Sequence, residues 1–133
     1  MAIRFKPKAF GPVSVHFDGQ GAVTFAEGTT GQPLAHPPHS TPVVTLLAAL
    51  GHCLVESLRL VARGKGLTPG AFTITLTGER ALDPPNRLGS IAYAIKGWPT
   101  DEPAGDDLIA EAKAICTVSN SLGAVTISRR DGA

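Results

Sequence analysis

The chain has few of the residues that announce a function: two cysteines, one tryptophan, one tyrosine and one methionine in 133 residues, with only 17% charged. A formal net charge of +1 and the absence of any lysine or arginine run leave no phosphate-tracking surface, and so few rings give bases little to stack on. Nucleic acid is therefore not an expected partner. The start, MAIRFKPKAF, has no apolar segment long enough for a signal peptide, and the strongest apolar run, Val43 to Leu50, falls well short of the roughly 18 residues a membrane helix needs. The expectation is a soluble, cytoplasmic protein without a membrane partner. In a reducing compartment two cysteines do not read as a permanent staple, which leaves inert buried thiols, metal ligands or a catalytic pair.

What is present is one long apolar helical pattern, TPVVTLLAALGHCLVESLRLVARGKG, from Thr41 to Gly66, with Cys53 at its middle. Leu46, Leu50, Cys53, Leu54, Ser57 and Val61 share a side, and Leu47, Leu58 and Leu60 widen the apolar surface beyond a narrow stripe, so the helix is expected to be buried. Ser40 or Thr41 suits the N-cap, Pro42 the first turn, Arg59, Arg63 and Lys65 the C-terminal end of the dipole, and Gly66 the closure. Before it, Val13, Val15 and Phe17 alternate with Ser14 and His16, and a DGQG turn leads to Val23 and Phe25, a β-hairpin pattern. The Gly- and Pro-rich segment from Glu27 to Ser40 reads as a long connection, functional or holding a short hidden strand. After the helix, Phe72, Ile74 and Leu76 alternate with threonines, Ile91, Tyr93 and Ile95 form another strand, and Pro84 and Pro85 turn the chain between them. A second helix begins near Asp106 and Asp107, with Leu108, Ala112 and Ile115 expected on its core side and Cys116 at its end. CTVSNSLG reads as a short helical turn before a last strand carrying Val125 and Ile127.

The order predicts an α+β fold class, a mainly antiparallel sheet against a long helix, in one domain over residues 1–133. One small sheet covers one side of such a helix, and a second copy of the chain is the simplest cover for the other.

Three motifs in order, AALGHCLVESLRLVARGKGL, GERALDPPNRLGSIAYAIKGW and CTVSNSLGAVTI, resemble the OsmC/Ohr family of thiol peroxidases over roughly Thr41 to Ile127. The resemblance implies the OsmC-like fold: an intertwined homodimer whose antiparallel sheets wrap a pair of long central helices. It also implies reduction of organic hydroperoxides by Cys53 as the peroxidatic residue, resolution by Cys116, and recycling by a dithiol such as a lipoylated protein, with no cofactor. The pair would need Cα atoms about 4.4 to 6.8 Å apart to close a disulfide.

The family resemblance further implies an arginine from the N-terminal strand region, held by a glutamate near the start of the long helix. Those residues are not evident: Val43 and Val44 follow Pro42, and Arg4 is the only arginine before Arg59. A thiol inside an apolar helix needs a cation or donor to favour the thiolate. Glu56 with Arg59, His16 on the polar face of the hairpin, and His36 or His39 in the loop are the alternative activators, each against the reading of a surface ion pair or an ordinary exposed histidine. His36 and His39 are spaced as His-x-x-His, but without a Cys-x-x-Cys they give no ordered metal-ligand set, and no metal is expected. The sequence thus points to a thiol-dependent peroxidase. The alternative is a catalytically weak dimeric module of the same fold that binds a small apolar ligand or senses redox state.

Overall fold

Alternation of apolar and polar side chains builds a five-stranded sheet in the order β2-β1-β3-β4-β5, in a computed structural model that describes residues 3–130 of the domain expected over 1–133. The strands are β1 (Ala9–Phe17), β2 (Val23–Glu27), β3 (Phe72–Arg80), β4 (Leu88–Gly97) and β5 (Thr126–Arg129), and the helices are α1 (Pro42–Gly64), α2 (Gly105–Ile115) and α3 (Thr117–Ser121). All neighbours pair antiparallel except β5, which runs parallel to β4 because α2 and α3 carry the chain back before it enters the sheet.

The β1–β2 hairpin forms as the pattern predicts. Asp18 Oδ1 accepts the Gln20 and Ala22 amides at 2.6 and 3.0 Å, which holds its carboxyl below the usual range, and Gly19 and Gly21 take the positive φ the turn requires. The long connection after it does hold a short strand contact. Phe25 and Leu34 exchange backbone hydrogen bonds at 2.9 and 2.7 Å along the outer edge of β2.

One sheet face carries Val13, Val15, Phe17, Phe72, Ile74, Leu76, Ile91, Tyr93 and Ile95, all buried against α1. The other carries Ser14 and His16 beside Thr75 and Thr73, joined by lateral hydrogen bonds at 3.1 and 2.8 Å. Thr41 caps α1 by accepting the Val44 amide at 3.2 Å, and Pro42 opens the helix. At the far end Lys65 is the cap residue, with Gly66 following at φ +72. Gly51 sets the closest approach to the sheet: a Cβ there would lie 2.6 Å from Leu76 Cδ1 and 2.7 Å from Val15 Cγ2.

α1 is long and apolar enough, at a mean hydropathy of 1.6 over its most apolar window, to cross a bilayer by length and composition alone. The expectation drawn from the Val43 to Leu50 run understates it, because scattered polar residues interrupt the run without lowering the average much. Half of that window is buried inside the molecule, the packing of a core helix.

α2 lies along α1, burying Leu108, Ile109 and Ala112, and is tied at its ends by Lys65–Glu111 at 3.3 Å and Arg129–Asp106 at 2.8 Å. Two expected positions differ. Ile115 is 46% exposed and Ile109 takes its place in the core, since the buried stripe of α2 centres on Gly105 and Ala112 and leaves Ile115 at its margin. Leu60, expected to widen the buried surface, is 55% exposed, because the sheet and α2 together cover only part of the circumference of α1.

Candidate active site

The two cysteines, 116 − 53 = 63 positions apart, are brought together by the packing of α1 against the α2–α3 joint. Cys53 sits in the middle of α1 and is partly accessible, whereas Cys116 is fully buried. Both are free thiols. Cys116 ends α2 and begins α3. Its extended backbone, φ −70 and ψ 108, interrupts the helical path and turns the sulfur inward, while its carbonyl accepts the Asn120 amide at 2.9 Å.

Burial pushes the Cys116 thiol up to about 11. The backbone amides of Ser119 and Val118 oppose that rise, and the neighbouring Cys53 adds to it. Cys116 is thus a thiol at neutral pH, placed to face Cys53 as a proton-bearing group. The Tyr93 phenol, almost completely buried, is also raised by burial, and its charge is coupled to both Arg129 and Cys116. These backbone amides were not among the residues singled out from the sequence. The signal was a cysteine immediately before a Thr-x-Ser turn, the position from which a side chain meets the free amides of the next helix.

The other candidates are distributed around the molecule. Glu56 accepts from Arg59 Nη1 at 3.1 Å and lies 3.6 Å from His52 Nε2. Arg59 is about 120° around the helix axis from Cys53, and its guanidinium stacks over the Phe17 ring at 4.5 Å. His52 packs edge-on to Phe25 at 5.5 Å, on the flank of α1 away from Cys116. His16 donates to or accepts from Thr73 on the sheet face that α1 does not touch, so within one chain the sheet separates it from the thiols. His39 stacks on His36 at 6.0 Å, ahead of the helix start and about 16 Å of helix axis from Cys53. Among the described residues no group of three His, Cys, Asp or Glu side chains gathers to hold a metal ion. The arrangement therefore joins the thiols to each other and sets the proposed cations apart from them within the protomer.

Chemically, two neighbouring thiols, one accessible and one buried, are the groups that dithiol–disulfide chemistry requires. Burial of the second protects it from direct oxidation from solvent, and exposure of the first opens it to a reactant.

Several solved structures share this architecture. An organic hydroperoxide resistance protein OsmC from Legionella pneumophila superposes with a TM-score of 0.59 at 17% identity, covering 97% of this chain and 98% of that one. OhrB of Bacillus subtilis, an organic hydroperoxide resistance protein, gives 0.57 at 15% identity over 96% and 98%. An OsmC-like protein from Mycoplasma pneumoniae gives 0.55 at 18% identity over 99% and 98%. No curated protein sequence matches the chain. The family model for OsmC-like protein matches residues 35–129, a span that includes α1, both cysteines and the whole of β3, β4 and β5. By fold and by sequence, the chain belongs to the OsmC-like protein family.

Proposed function

We propose that this protein is a cytoplasmic thiol-dependent peroxidase that reduces organic hydroperoxides through Cys53 and Cys116. The observation that carries the reading is the meeting of an accessible Cys53 with a buried Cys116 from a distant part of the chain. Family membership supports a role in peroxide resistance or redox chemistry.

In the proposed cycle the Cys53 thiolate attacks the distal peroxide oxygen. The O–O bond breaks, the alkoxide takes a proton and leaves as an alcohol, and Cys53 becomes a sulfenic acid. Cys116 then attacks that sulfur, its proton and the sulfenic hydroxyl leave as water, and a disulfide forms. An external dithiol, a lipoylated protein or a small dithiol, reduces it by exchange.

The uncovered side of α1, with Leu46, Ala49, Cys53 and Leu60, supports a homodimer in which a second α1 covers the thiol and supplies the apolar wall for the peroxide's organic part. A second reading, a slow redox sensor on the same pair, is favoured by one observation. Arg59 is engaged with Glu56 and with Phe17, which leaves Cys53 without an assigned cation among the described residues of one chain.

The test is to mix fully reduced protein with about one equivalent of an organic hydroperoxide, the two-electron stoichiometry, and map peptides without reductant. A Cys53–Cys116 disulfide forming faster than with hydrogen peroxide is expected. Cys53→Ser should consume no peroxide, and Cys116→Ser should turn over once and then over-oxidise at Cys53. Both thiols remaining free after long exposure would overturn the peroxidase and the sensor together, whereas slow but complete disulfide formation would select the sensor.

A further inference from the structure

At the end of the sheet where α1 begins, the core-facing rows change from apolar to cationic. The alternation that sets Phe72, Ile74, Leu76 and Gly78 against α1 brings Arg80 next in the same row. The Arg80 amide donates to the Lys8 carbonyl at 2.9 Å, so two cationic residues 80 − 8 = 72 positions apart lie side by side, Lys8 just ahead of β1 and Arg80 at the end of β3. Arg87 joins them from the turn before β4. Together with Phe10, Pro42 and Val43 they line a cavity of about 350 Å³ that no carboxylate lines.

Like charges placed opposite each other across strands destabilise a sheet. Arg87 is partly compensated, pairing with Asp83 at 3.3 Å and donating to the Asp83 and Pro85 carbonyls. Lys8 and Arg80 form no ion pair among the described residues. Arg80 reaches the Lys6 carbonyl only at 3.5 Å, and its Nε is enclosed without a hydrogen-bond partner among the described residues. Cations gathered without a carboxylate repel one another, and an anion bound in the cavity would relieve that repulsion. Glu79, the neighbouring carboxylate in sequence, does not line this cavity; it lines an adjoining one of about 280 Å³ that Lys8 and Arg80 also border. The first turn of α1, which closes the larger cavity, contains no acidic residue.

We propose that this cleft binds a small organic acid, with its carboxylate held by Lys8 and Arg80 and its apolar part against Phe10, Pro42 and Val43. A bare inorganic anion would leave that apolar wall unused, and a neutral apolar molecule would leave the cations uncompensated. Val43 precedes Cys53 by ten residues, about 15 Å along the helix axis. Within one chain the site is therefore separate from the thiol pair, and octanoate binding can be read independently of peroxide turnover.

The test is a calorimetric or NMR titration of the full chain with octanoate, with octanol and inorganic phosphate as the neutral and the bare-anion probes. Saturable octanoate binding with a Kd of about 1 mM or tighter is expected, with neither control saturating in that range. Lys8→Gln and Arg80→Gln should each weaken octanoate binding by about tenfold or more. Lys8 is exposed and precedes β1, so its variant keeps the test open if Arg80→Gln fails to fold. Absence of saturation by octanoate at about 10 mM, an order above the expected Kd, would overturn the proposal. So would phosphate binding as tightly, which would mean an adventitious ion only. Octanol binding as tightly, or unchanged octanoate affinity in a folded Lys8→Gln variant, would overturn it as well.

Discussion

Gly51→Ala tests how closely α1 is seated on the sheet, and the geometry sets the size of the effect. The added Cβ would stand 2.6 Å from Leu76 Cδ1 and 2.7 Å from Val15 Cγ2, about 1 Å inside ordinary carbon contact. Neither neighbour has room to give. Both side chains are 0% exposed, and valine is restricted at χ1. Overpacking of this kind costs about 1–3 kcal/mol, against which alanine recovers about 1 kcal/mol of helix propensity. The net expectation is a loss of up to about 2 kcal/mol. Gly64, at the end of the same helix with nothing within 4 Å of its would-be Cβ, provides the control. Gly64→Ala should gain up to about 1 kcal/mol from propensity alone. Urea unfolding of both variants at one protein concentration reads the difference, with Gly51→Ala expected to move the midpoint down by up to roughly 1 M. A Gly51→Ala protein as stable as Gly64→Ala would refute the close seating of helix on sheet.

Thr41→Ala removes the hydroxyl that accepts the Val44 amide and should cost about 1 kcal/mol, read as a lowered urea midpoint. Disulfide closure in protein already oxidised at Cys53 should accelerate with pH. Cys116 ionises near 11 while Cys53 is present as a thiol or thiolate, and burial still raises it once Cys53 is oxidised. The attacking thiolate fraction therefore grows about tenfold per pH unit through the neutral and mildly alkaline range. Stopped-flow measurement of that step from pH 7 to 9 checks the sign, and a rate flat or falling with pH would contradict a protonated resident thiol. Leu60→Glu, on the open side of α1, should shift the apparent mass in size-exclusion chromatography toward the monomer if that side is the dimer contact. Glu56→Gln should change stability by no more than about 0.5 kcal/mol, because the Arg59 pair is half-exposed and only three residues apart.

Much of the fold is local and was legible for that reason. The hairpin carries its turn chemistry in DGQG, α1 carries its cap and its proline, and the strands show strict alternation in ITLT and IAYAI. The exposed positions were misjudged where the answer depends on how far one layer extends over another. Nothing in the spacing of Leu60 or Ile115 says that the sheet and α2 stop short of them. The parallel entry of β5 was likewise hidden, since Val125 and Ile127 alternate identically in either direction. At the site, the family pattern pointed to Cys53 and Cys116, but the fate of the candidate activators was fixed by side-chain direction. His16 falls on the far face of the sheet because of its parity in β1, and Arg59 turns toward Phe17 because of its position around α1. The cationic cleft was invisible for a different reason. Lys8 and Arg80 meet only after the register between β1 and β3 shifts between Phe10 and Val13.

The contact between Phe25 and Leu34 bears on how copies of this chain can meet. A bare outer strand offers its unpaired amides and carbonyls to any other strand, which is the usual route to runaway sheet growth. Here the segment after β2 folds back and occupies part of that edge, and at the opposite border β5 is only four residues long and ends in Arg129, followed by Arg130. With both borders of the sheet made poor templates, sideways addition of strands is disfavoured. The proposed homodimer would use the open flank of α1 instead, and a helical flank, unlike a strand edge, would end the assembly after one partner has docked.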